Sequence, residues 1–509
     1  MGHLPTLPPS TPPPSNLPTF QPSPSPQPGG AAILGLVGQP DTLNPITTNN
    51  TALRELAPLL FDTLLHVDPT TAQLQPGLAE SWEYSRDGKR VTFHLPAKLV
   101  WSDGRPLTAA AIAASLKATE HPALLAFSEI TAPNPEILEL TFAAIDCAAV
   151  TTLAQLPLLP AAEVLDATPK GSGPFKIAAW SENKRTLTLE RNPHYRGPAP
   201  LLDGLTVRFI QDGEAAIALS EGQFDAVGPI ESKIPLPQPQ IFTDLAYPAP
   251  QMTYLAINFA PKNVDPVEPQ VRQALLLALD REAILAEALD GEGQLLAGPL
   301  LPGHWAANAD LAWPAYDPDA ARTLLTRAGL KDEDGDGWLD QDGRRLELSI
   351  RVNGENPLHQ GLGWLAASYY RDLGLFARSD SIAFTGLVDD LFTHDFSLAI
   401  FSWPLLPDPD QRLFWRSNEN EVGRGLNFIS YDNPALDRLL DRAVAVPGCA
   451  AQDRARIYAN IQKTLAAERP VDFLLAPNRH ILVGDRLQGV NPGPFVPFTW
   501  NAVEWYLTK

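Results

Sequence analysis

The chain is poor in the residues from which most metal and redox sites are built. It contains two cysteines and nine histidines among 509 residues. No two histidines stand four residues apart and no Cys-x-x-Cys occurs, which excludes a cysteine-rich zinc framework and a histidine pair on one helix face. Cys147 and Cys449 could form a disulfide or remain buried thiols, because their spacing does not decide between the two.

Long apolar runs and the motifs of common enzyme classes are also missing. No apolar stretch approaches the roughly 20 residues that are needed to cross a bilayer. The sequence has no Gly-x-Ser-x-Gly, His-Glu-x-x-His or Gly-x-Gly-x-x-Gly. We therefore expect a protein that is not an enzyme and that carries no organic cofactor.

Positive charge is scarce as well. Lys and Arg number 38 against 59 Asp and Glu, which gives a formal net charge of −21. Nucleic acids and anionic membranes bind to clustered Lys or Arg, so we expect neither nucleic acid nor an anionic membrane surface as a binding partner. The length exceeds what one hydrophobic core supports, so two or three domains are expected.

Residues 1–30 are rich in proline and serine and almost free of charge. Such a segment favours an extended polyproline conformation and cannot build a core. It has no basic stretch followed by an apolar one, so we expect no signal peptide within it. The segment is predicted to be a disordered linker, either a stiff tether ahead of a folded body or a tail without a role.

The stretch from 254 to 289 predicts a strand followed by two helices. Apolar side chains alternate from Leu255 to Phe259, as on a pleated strand. Pro269 suits the first turn of a helix, and Asp280 suits the N-cap of the next. Near the other end of the chain, the segments 473–475 and 481–483 are predicted as two separate strands.

The most specific motifs lie between residues 74 and 108. They are LQPGLAESW at 74–82, VTFHL at 91–95 and WSDGRPLT at 101–108. They predict strands joined by Asp-Gly turns and a helix capped by Thr108. Together with the YLAIN and VRQAL segments of the central stretch, they resemble the family 5 extracellular solute-binding proteins, the peptide- and nickel-binding receptors of ABC importers.

The resemblance covers about residues 31–509 and implies an α/β, periplasmic-binding-protein-like fold of class II, cluster C. Two lobes are expected, with an extra subdomain in the first and a hinge near the strand at 254–259. The expected division is lobe I at 31–260 with a subdomain at about 75–165, lobe II at 261–477, and a return to lobe I at 478–509.

The resemblance also implies a function. A receptor of this family captures a peptide in the interlobe cleft and delivers it to the permease subunits of an ABC transporter, without a catalytic step. A periplasmic monomer, tethered to the membrane by an N-terminal lipid in its natural form, is expected. Two other functions stay open: a receptor for nickel or another metal chelate, and a peptide sensor or chaperone that serves no transporter.

In family members that bind peptides, an Asp after Trp403 often holds the amino group of the ligand. Here Leu405, Leu406 and Pro407 occupy that place, and only Asp408 could take the role. An unpaired buried ammonium is costly. The sequence therefore favours a peptide that is modified or blocked at its amino end.

Other family positions complete the candidate site. Dipeptide receptors hold the ligand carboxylate with an Arg where this chain has Asn353, and Arg351 could substitute for it or form a surface salt bridge instead. The Gly-Ser-Gly loop at 171–173 resembles a cleft loop of the family. The candidate ligand-binding residues are Asn44, Ser172, Gly173, Tyr254, Arg351, Asn353, Trp403, Leu405, Asp408 and Trp500.

An acidic loop, DEDGDG at 332–337, resembles the start of a calcium-binding loop. It places carboxylates at positions 1, 3 and 5 and a glycine at position 6, but the twelfth position is Gly343 and not Glu. A structural calcium held by Asp332, Asp334 and Asp336 is one expectation, and an acidic turn without metal is the other.

Overall fold

The computed structural model describes residues 28–48, 50–211, 222–231, 242–262 and 267–508. The linker predicted at residues 1–30 lies outside the described residues, except for its last three. No helix within the described ranges is both long enough and apolar enough to cross a membrane.

The strands of the described residues vary from two to 14 residues in length. In chain order they are β1 (Ala31–Val37), β2 (Leu65–Val67), β3 (Leu74–Pro76), β4 (Ser81–Tyr84), β5 (Arg90–His94), β6 (Phe127–Asn134), β7 (Ile137–Phe142), β8 (Phe175–Trp180), β9 (Thr186–Arg191), β10 (Gly204–Ile210), β11 (Ala226–Ile230), β12 (Phe242–Pro248), β13 (Gln251–Ile257), β14 (Gly293–Leu295), β15 (Asp340–Gln341), β16 (Arg344–Arg345), β17 (Glu347–Asn353), β18 (Phe376–Ile382), β19 (Leu398–Pro404), β20 (Val471–Gly484), β21 (Leu487–Gln488) and β22 (Tyr506–Leu507).

The α-helices of the described residues vary from four to 18 residues in length. They are α1 (Thr51–Leu60), α2 (Ala109–Ala118), α3 (Cys147–Thr152), α4 (Pro269–Leu277), α5 (Arg281–Leu289), α6 (Pro318–Arg327), α7 (Pro357–Asp372), α8 (Phe384–Thr393), α9 (Arg412–Trp415), α10 (Pro434–Val444) and α11 (Ala451–Glu468).

One strand, β20, connects two halves of the main sheet. The strand order is β18-β17-β19-β13-β20-β11-β1-β10-β9-β8, and β12 and β14 also pair with β20. The first residues of β20 pair with β13, and its last residues pair with β11 and β12. We call β1 and β8–β12 with the end of β20 the first half-sheet. The second half-sheet is β13, β14 and β17–β19 with the start of β20.

The strand predicted from Leu255 to Phe259 forms as β13, but it belongs to the second half-sheet. It pairs with β19 along its whole length, from Gln251 to Ile257. The chain passes between the half-sheets at 248–251 and again within β20. The lobe boundary at residue 260 remains a prediction, and the strand pairing favours 248–251 for that passage.

The predicted helix starts are confirmed. Pro269 opens α4. The Asp280 carboxylate accepts a hydrogen bond from the Ala283 N–H at 3.0 Å and caps α5, while Thr108 caps α2 in the same way at 3.3 Å. Each cap provides an acceptor for a helix N–H that has no partner within the helix.

A smaller four-stranded sheet lies apart from the main sheet. Its strand order is β4-β5-β7-β6, and α2 and α3 pack with it around a separate core that includes Phe93 and Trp101. We call these elements, residues 81–152, the inserted unit, because the chain enters it after α1 and leaves it before β8. Cys147 of α3 forms a disulfide with Cys449, which answers the question that the sequence left open.

A buried carboxyl group ties α1 to the end of the chain. Glu55 is 4% exposed and accepts a hydrogen bond from the Phe498 N–H at 2.8 Å. The Thr499 hydroxyl donates to the Glu55 carbonyl. Burial raises the pKa of Glu55 from 4.5 to about 7, although the Phe498 N–H and the charge of Arg479 act in the opposite direction.

This raised pKa predicts a loss of stability as the pH rises. Below pH 4.5 Glu55 is protonated in both states; between pH 4.5 and 7 the unfolded chain releases the proton first, so the free energy of unfolding falls. Glu55→Gln keeps the acceptor and removes the titration. At about 1.4 kcal/mol per pKa unit, the free energy of unfolding falls by roughly 3 kcal/mol at most. In a chain of this size, such a loss lowers the Tm by about 3 °C.

We expect Glu55→Gln to raise the Tm relative to the native protein at pH 8 but not at pH 4.5, as measured by calorimetry. Glu182→Gln, at an exposed position, is the matched control and should shift neither value. An equal shift of the Glu55→Gln variant at both pH values would contradict the assignment.

Candidate functional site

Three parallel strands end side by side at one edge of the second half-sheet. β17 pairs in parallel with β18 and β19, and these strands end at Asn353, Ile382 and Pro404. β13 runs antiparallel to β19 and starts there, with Gln251 opposite Pro404. Ligands of open α/β sheets bind outside the carboxyl ends of the strands. This carboxyl edge is therefore the candidate site.

An aromatic pair occupies one face of the carboxyl edge. The Trp403 Nε1–H donates to the Tyr254 hydroxyl at 2.9 Å, and the Trp403 ring packs against Phe414 and Phe428. Tyr254 is 3% exposed, and burial raises its pKa, so it remains a neutral phenol. Tyr254 thus lies behind Trp403 and positions it, while the half-buried Trp403 reaches the edge.

The other face carries a polar chain that sequence reasoning missed. His359, in the first turn of α7, shares a 2.8 Å hydrogen bond with Ser402 through its Nε2, and Ser402 lies 2.8 Å from Thr253. The His359 Nδ1 is buried and has no partner among the described residues. Burial lowers the pKa of His359 to about 4, so the imidazole is neutral. In the sequence, His359 closely follows Asn356, the N-cap of α7, shortly after β17 ends. This position is the feature from which His359 could have been predicted.

Asp408 faces the protein interior and does not have a free carboxylate. Arg454 donates to both of its oxygens, at 2.8 and 2.7 Å, and Thr151 adds a hydrogen bond at 2.7 Å. Burial would raise the pKa of Asp408, but the Arg454 charge and these hydrogen bonds outweigh it and hold the pKa below its usual value. The expectation that Asp408 holds a ligand amino group is therefore at odds with its contacts.

The rest of this loop presents apolar side chains. Asp410 is paired with Arg412, which also contacts Asp146 at 2.8 Å. Leu405 is buried, and its N–H donates to the Pro250 carbonyl. Leu406 and Leu413 are exposed by 59% and 56%. The exposed surface of the loop is apolar because both aspartates are occupied by arginines.

A structural role for Asp408 predicts a large loss of stability on substitution. Asp408→Asn leaves the buried Arg454 without a counter-charge, which typically costs about 3–5 kcal/mol. We expect the Tm to fall by roughly 3–5 °C in this chain. Asp453→Asn, at an exposed i,i+3 pair with Arg456, is the control and should change the Tm little. An unchanged Tm for Asp408→Asn would show that Asp408 is free for a ligand.

Arg351 and Asn353 lie on β17 at the same edge. Arg351 lies between two carboxylates. Its Nη1 is 3.4 Å from Oδ2 of Asp380, and its Nε is 3.4 Å from Oδ2 of Asp390. These contacts agree with the salt-bridge alternative. Asn353 accepts a hydrogen bond from the Glu355 N–H at 2.9 Å, which shapes the turn into α7. A ligand-binding role for either residue remains a prediction.

Asn44 has an internal role. It is completely buried, its amide donates to the carbonyls of Val164 and Asp166 at 2.7 and 2.8 Å, and its side-chain oxygen accepts from the Ile46 N–H. These contacts fasten the loop after β1 and use all the polar atoms of the side chain. The prediction that Asn44 contacts ligand is at odds with this arrangement.

The glycine loop packs against the end of α1. The Gly173 N–H donates to the Leu60 carbonyl at 3.0 Å, and a Cβ at Gly173 would lie 2.6 Å from the Leu60 carbonyl carbon, so only glycine fits. Ser172 is buried, and its hydroxyl has no partner among the residues described. Trp500 is half-buried and donates to the Asn491 carbonyl at 2.7 Å.

The predicted residues fall into two groups. Tyr254, Trp403 and Leu405 meet at the carboxyl edge. Arg351 and Asn353 lie on β17 at this edge, and Asp408 lies in the loop after β19. The second group lies with the first half-sheet and consists of Asn44, Ser172, Gly173 and Trp500. Within the part of the chain that the structure describes, no hydrogen bond or ion pair joins the two groups.

A family profile decides which class of protein this site belongs to. The profile for bacterial extracellular solute-binding proteins, family 5 Middle, matches residues 73–423. The chain belongs to family 5. The matched region includes the inserted unit and the whole carboxyl edge, so the resemblance seen in the sequence motifs is confirmed.

Two relatives of the family 5 protein match nearly its whole length. Oligopeptide-binding protein AppA of Bacillus subtilis (strain 168) is 26% identical over 515 residues, which cover 95% of this chain and 93% of the relative. The probable D,D-dipeptide-binding periplasmic protein DdpA of Escherichia coli (strain K12) is 26% identical and covers 92% and 93%.

Solved structures confirm the fold of the family 5 protein. AppA from Bacillus subtilis in complex with a nonapeptide has a TM-score of 0.70 at 24% identity and covers 95% of this chain and 100% of its own. NikZ from Campylobacter jejuni in complex with Ni(L-His) has a TM-score of 0.73 at 22% identity and covers 94% and 99%. The predicted α/β, periplasmic-binding-protein-like fold is therefore correct.

The acidic loop of the family 5 protein gathers a different set of carboxylates from the predicted one. Oxygens of Asp332, Asp334 and Asp340 lie within 4.8 Å of one another. Asp336 instead forms an ion pair with Arg345. The predicted third ligand, Asp336, is thus drawn away by a nearby cation, and Asp340 takes its place in the cluster.

Calcium binding by this loop remains a prediction. If the three carboxylates hold Ca²⁺ with the roughly 10⁻⁴ M affinity of extracellular modules, 5 mM Ca²⁺ adds about 2 kcal/mol to stability. We expect the Tm to rise by about 2 °C over that in EDTA. Asp340→Asn should abolish this rise, and Asp342→Asn, outside the cluster, should preserve it. A native Tm that is the same in Ca²⁺ and in EDTA would rule out the metal.

Proposed function

We propose that this protein is the ligand-binding receptor of an ABC importer and that it captures peptides at the carboxyl edge of the second half-sheet. Its family supports a solute receptor, and the names of its relatives from Bacillus subtilis and Escherichia coli support peptides as the ligand class. The receptor binds and releases its ligand without a chemical step. Its partners are permease subunits, and it works outside the cytoplasmic membrane, where a lipid anchor at the natural amino end would hold it.

The polarity of the loop after β19 supports a particular kind of peptide. Asp408 and Asp410 are each neutralised by an arginine, whereas Leu406 and Leu413 are exposed. A protonated amino group placed here would lose water without gaining a carboxylate. The ligand is therefore a peptide with a modified or blocked amino end, or one whose main chain rather than its terminus is recognised.

The same loop gives little support to a metal chelate. Among the described residues, His304 contacts this loop: its Nε2 lies 3.0 Å from the Pro407 carbonyl, and its Nδ1 accepts a hydrogen bond from the Ala306 N–H at 3.0 Å. Both ring nitrogens are occupied. Burial lowers the pKa of His304 to about 4, although its hydrogen bond to the Pro407 carbonyl acts in the opposite direction. The thermal-stability assay described next also includes a nickel chelate, so that this alternative ligand is tested directly.

Thermal stabilisation by matched peptides tests the proposal. Each peptide of two to eight residues would be compared with its N-acetylated form, with nickel plus L-histidine as a third arm. Ligand at 100-fold over its dissociation constant adds about 2.7 kcal/mol, or roughly 2–3 °C here. We expect acetylated peptides to stabilise at least as well as free ones. Stabilisation by free peptides alone would overturn the blocked-terminus proposal, and stabilisation by nickel alone would overturn the peptide proposal.

A charge placed at Leu406 tests whether the loop faces the ligand. Leu406 is exposed, so Leu406→Asp should fold normally. In this variant, the ratio of the affinity for free peptide to that for acetylated peptide should rise roughly tenfold, which corresponds to the free energy of one hydrogen bond to a charged group. Leu406→Asn is the neutral control and should leave the ratio unchanged. Equal ratios in both variants would place the ligand elsewhere.

A further inference from the structure

One short helix of the inserted unit, α3, is bonded to the opposite part of the molecule. In the chain, the inserted unit lies between α1 and β8, and both of these pack in the core of the first half-sheet. Yet α3 and its N-cap Asp146 contact Asp408, Arg412 and the turn at 446–449. That turn joins α10 to α11, whose side chains pack with Tyr254 and Phe401 of the second half-sheet.

Three bonds of different kinds make this attachment. The Cys147–Cys449 disulfide is covalent. Arg412 and Asp146 form an ion pair at 2.8 Å, and the Thr151 hydroxyl donates to Asp408 at 2.7 Å. We call the disulfide, the ion pair and this hydrogen bond together the latch.

Close packing surrounds the latch. The turn between β4 and β5 brings Gly88 so near to the other side that a Cβ there would lie 2.8 Å from the Gly448 nitrogen. A Cβ at Gly448 would lie 4.0 Å from the Cβ of Tyr84, which is the last residue of β4. The two surfaces are therefore in contact over a patch and not only at the disulfide.

The disulfide differs from the other links in how far it can stretch. The Arg412–Asp146 ion pair, whose side chains are each about a quarter exposed, can lengthen and exchange its contact for water. A disulfide confines its two Cα atoms to roughly 4.4–6.8 Å, and here they are 5.4 Å apart. While it is intact, α3 and the 446–449 turn cannot separate, whatever the backbone passages at 248–251 and in β20 allow.

We propose that the latch restrains the opening of the binding cleft, so that the oxidised protein samples a narrower range of openings than the reduced protein. This rests on the proposed function, because a receptor of this kind buries its ligand by hinge closure. Release of the latch is a two-electron reduction. A dithiol gives two electrons and two protons, becomes a disulfide itself, and leaves Cys147 and Cys449 as thiols. The partner that sets the state of the latch is thus a thiol–disulfide reagent.

The test is small-angle scattering of the full chain without ligand, so it does not depend on which ligand the receptor takes. The oxidised protein would be compared with the same protein after dithiothreitol and with Cys147→Ser/Cys449→Ser. We expect the radius of gyration to rise by roughly 1 Å in the last two, from about 23 Å for a compact chain of this length. Amide exchange in α3 and at 446–454 should become about tenfold faster.

Matched variants separate the disulfide from the weaker links. Asp146→Asn/Thr151→Val leaves the disulfide intact and should keep the radius of the oxidised protein. The same pair of changes should add to the expansion after reduction. Because a serine variant could fail to fold, the reduced native protein serves as the second measurement, with its fold checked by circular dichroism.

The outcomes divide cleanly. A larger radius together with faster exchange, in both reduced and serine forms, supports the latch. Faster exchange at an unchanged radius means that the disulfide only fixes α3 locally, and overturns the proposal. Expansion of the oxidised Asp146→Asn/Thr151→Val protein overturns it as well, since the disulfide would then not be the restraint. Peptide binding can fail in the separate thermal assay without affecting any of these results.

Discussion

Strand β20 is the element on which both halves of the molecule depend. Backbone N–H and C=O groups inside a sheet need partners, and β20 supplies them to β13 on one side of Pro477 and to β11 and β12 on the other. Pro477 has no N–H to offer, and it stands where the partner strands change. Its carbonyl accepts from the Ala249 N–H at 2.8 Å, beside the other passage of the chain. The joint between the half-sheets is thus built from backbone pairing.

Features that depend on neighbouring residues could be predicted from the sequence. Features that depend on the pairing of strands far apart in the chain could not. The caps at Thr108 and Asp280 follow from side chains and backbone groups a few residues apart, so the sequence reveals them. The sequence predicts two strands where the structure has the single strand β20, and Pro477, which has no backbone N–H, lies between the two predicted segments. Only its partners, 180 or more residues away in the chain, show that the strand continues.

The candidate site divides in the same way. Trp403 could be found from a family motif. The partner that neutralises Asp408 is Arg454, which lies 46 residues further on, and no local pattern connects them. The net charge of −21 also says little about the site. A carboxylate can bind a cationic group of a ligand only when it is not already paired with an arginine or lysine of the protein. Glu55 has no direct ion pair among the described residues, and burial raises its pKa, whereas the Arg454 charge keeps the pKa of the buried Asp408 low.

The place of β20 in the chain also bears on how the protein is made. Residues 471–484 leave the ribosome near the end of synthesis, and neither half-sheet can be completed before then. Domains usually fold as units while the chain emerges. The inserted unit has a core of its own, but each half-sheet lacks one of its strands until this late segment is made. A chain that stops before residue 471 would therefore lack the strand that joins its two half-sheets.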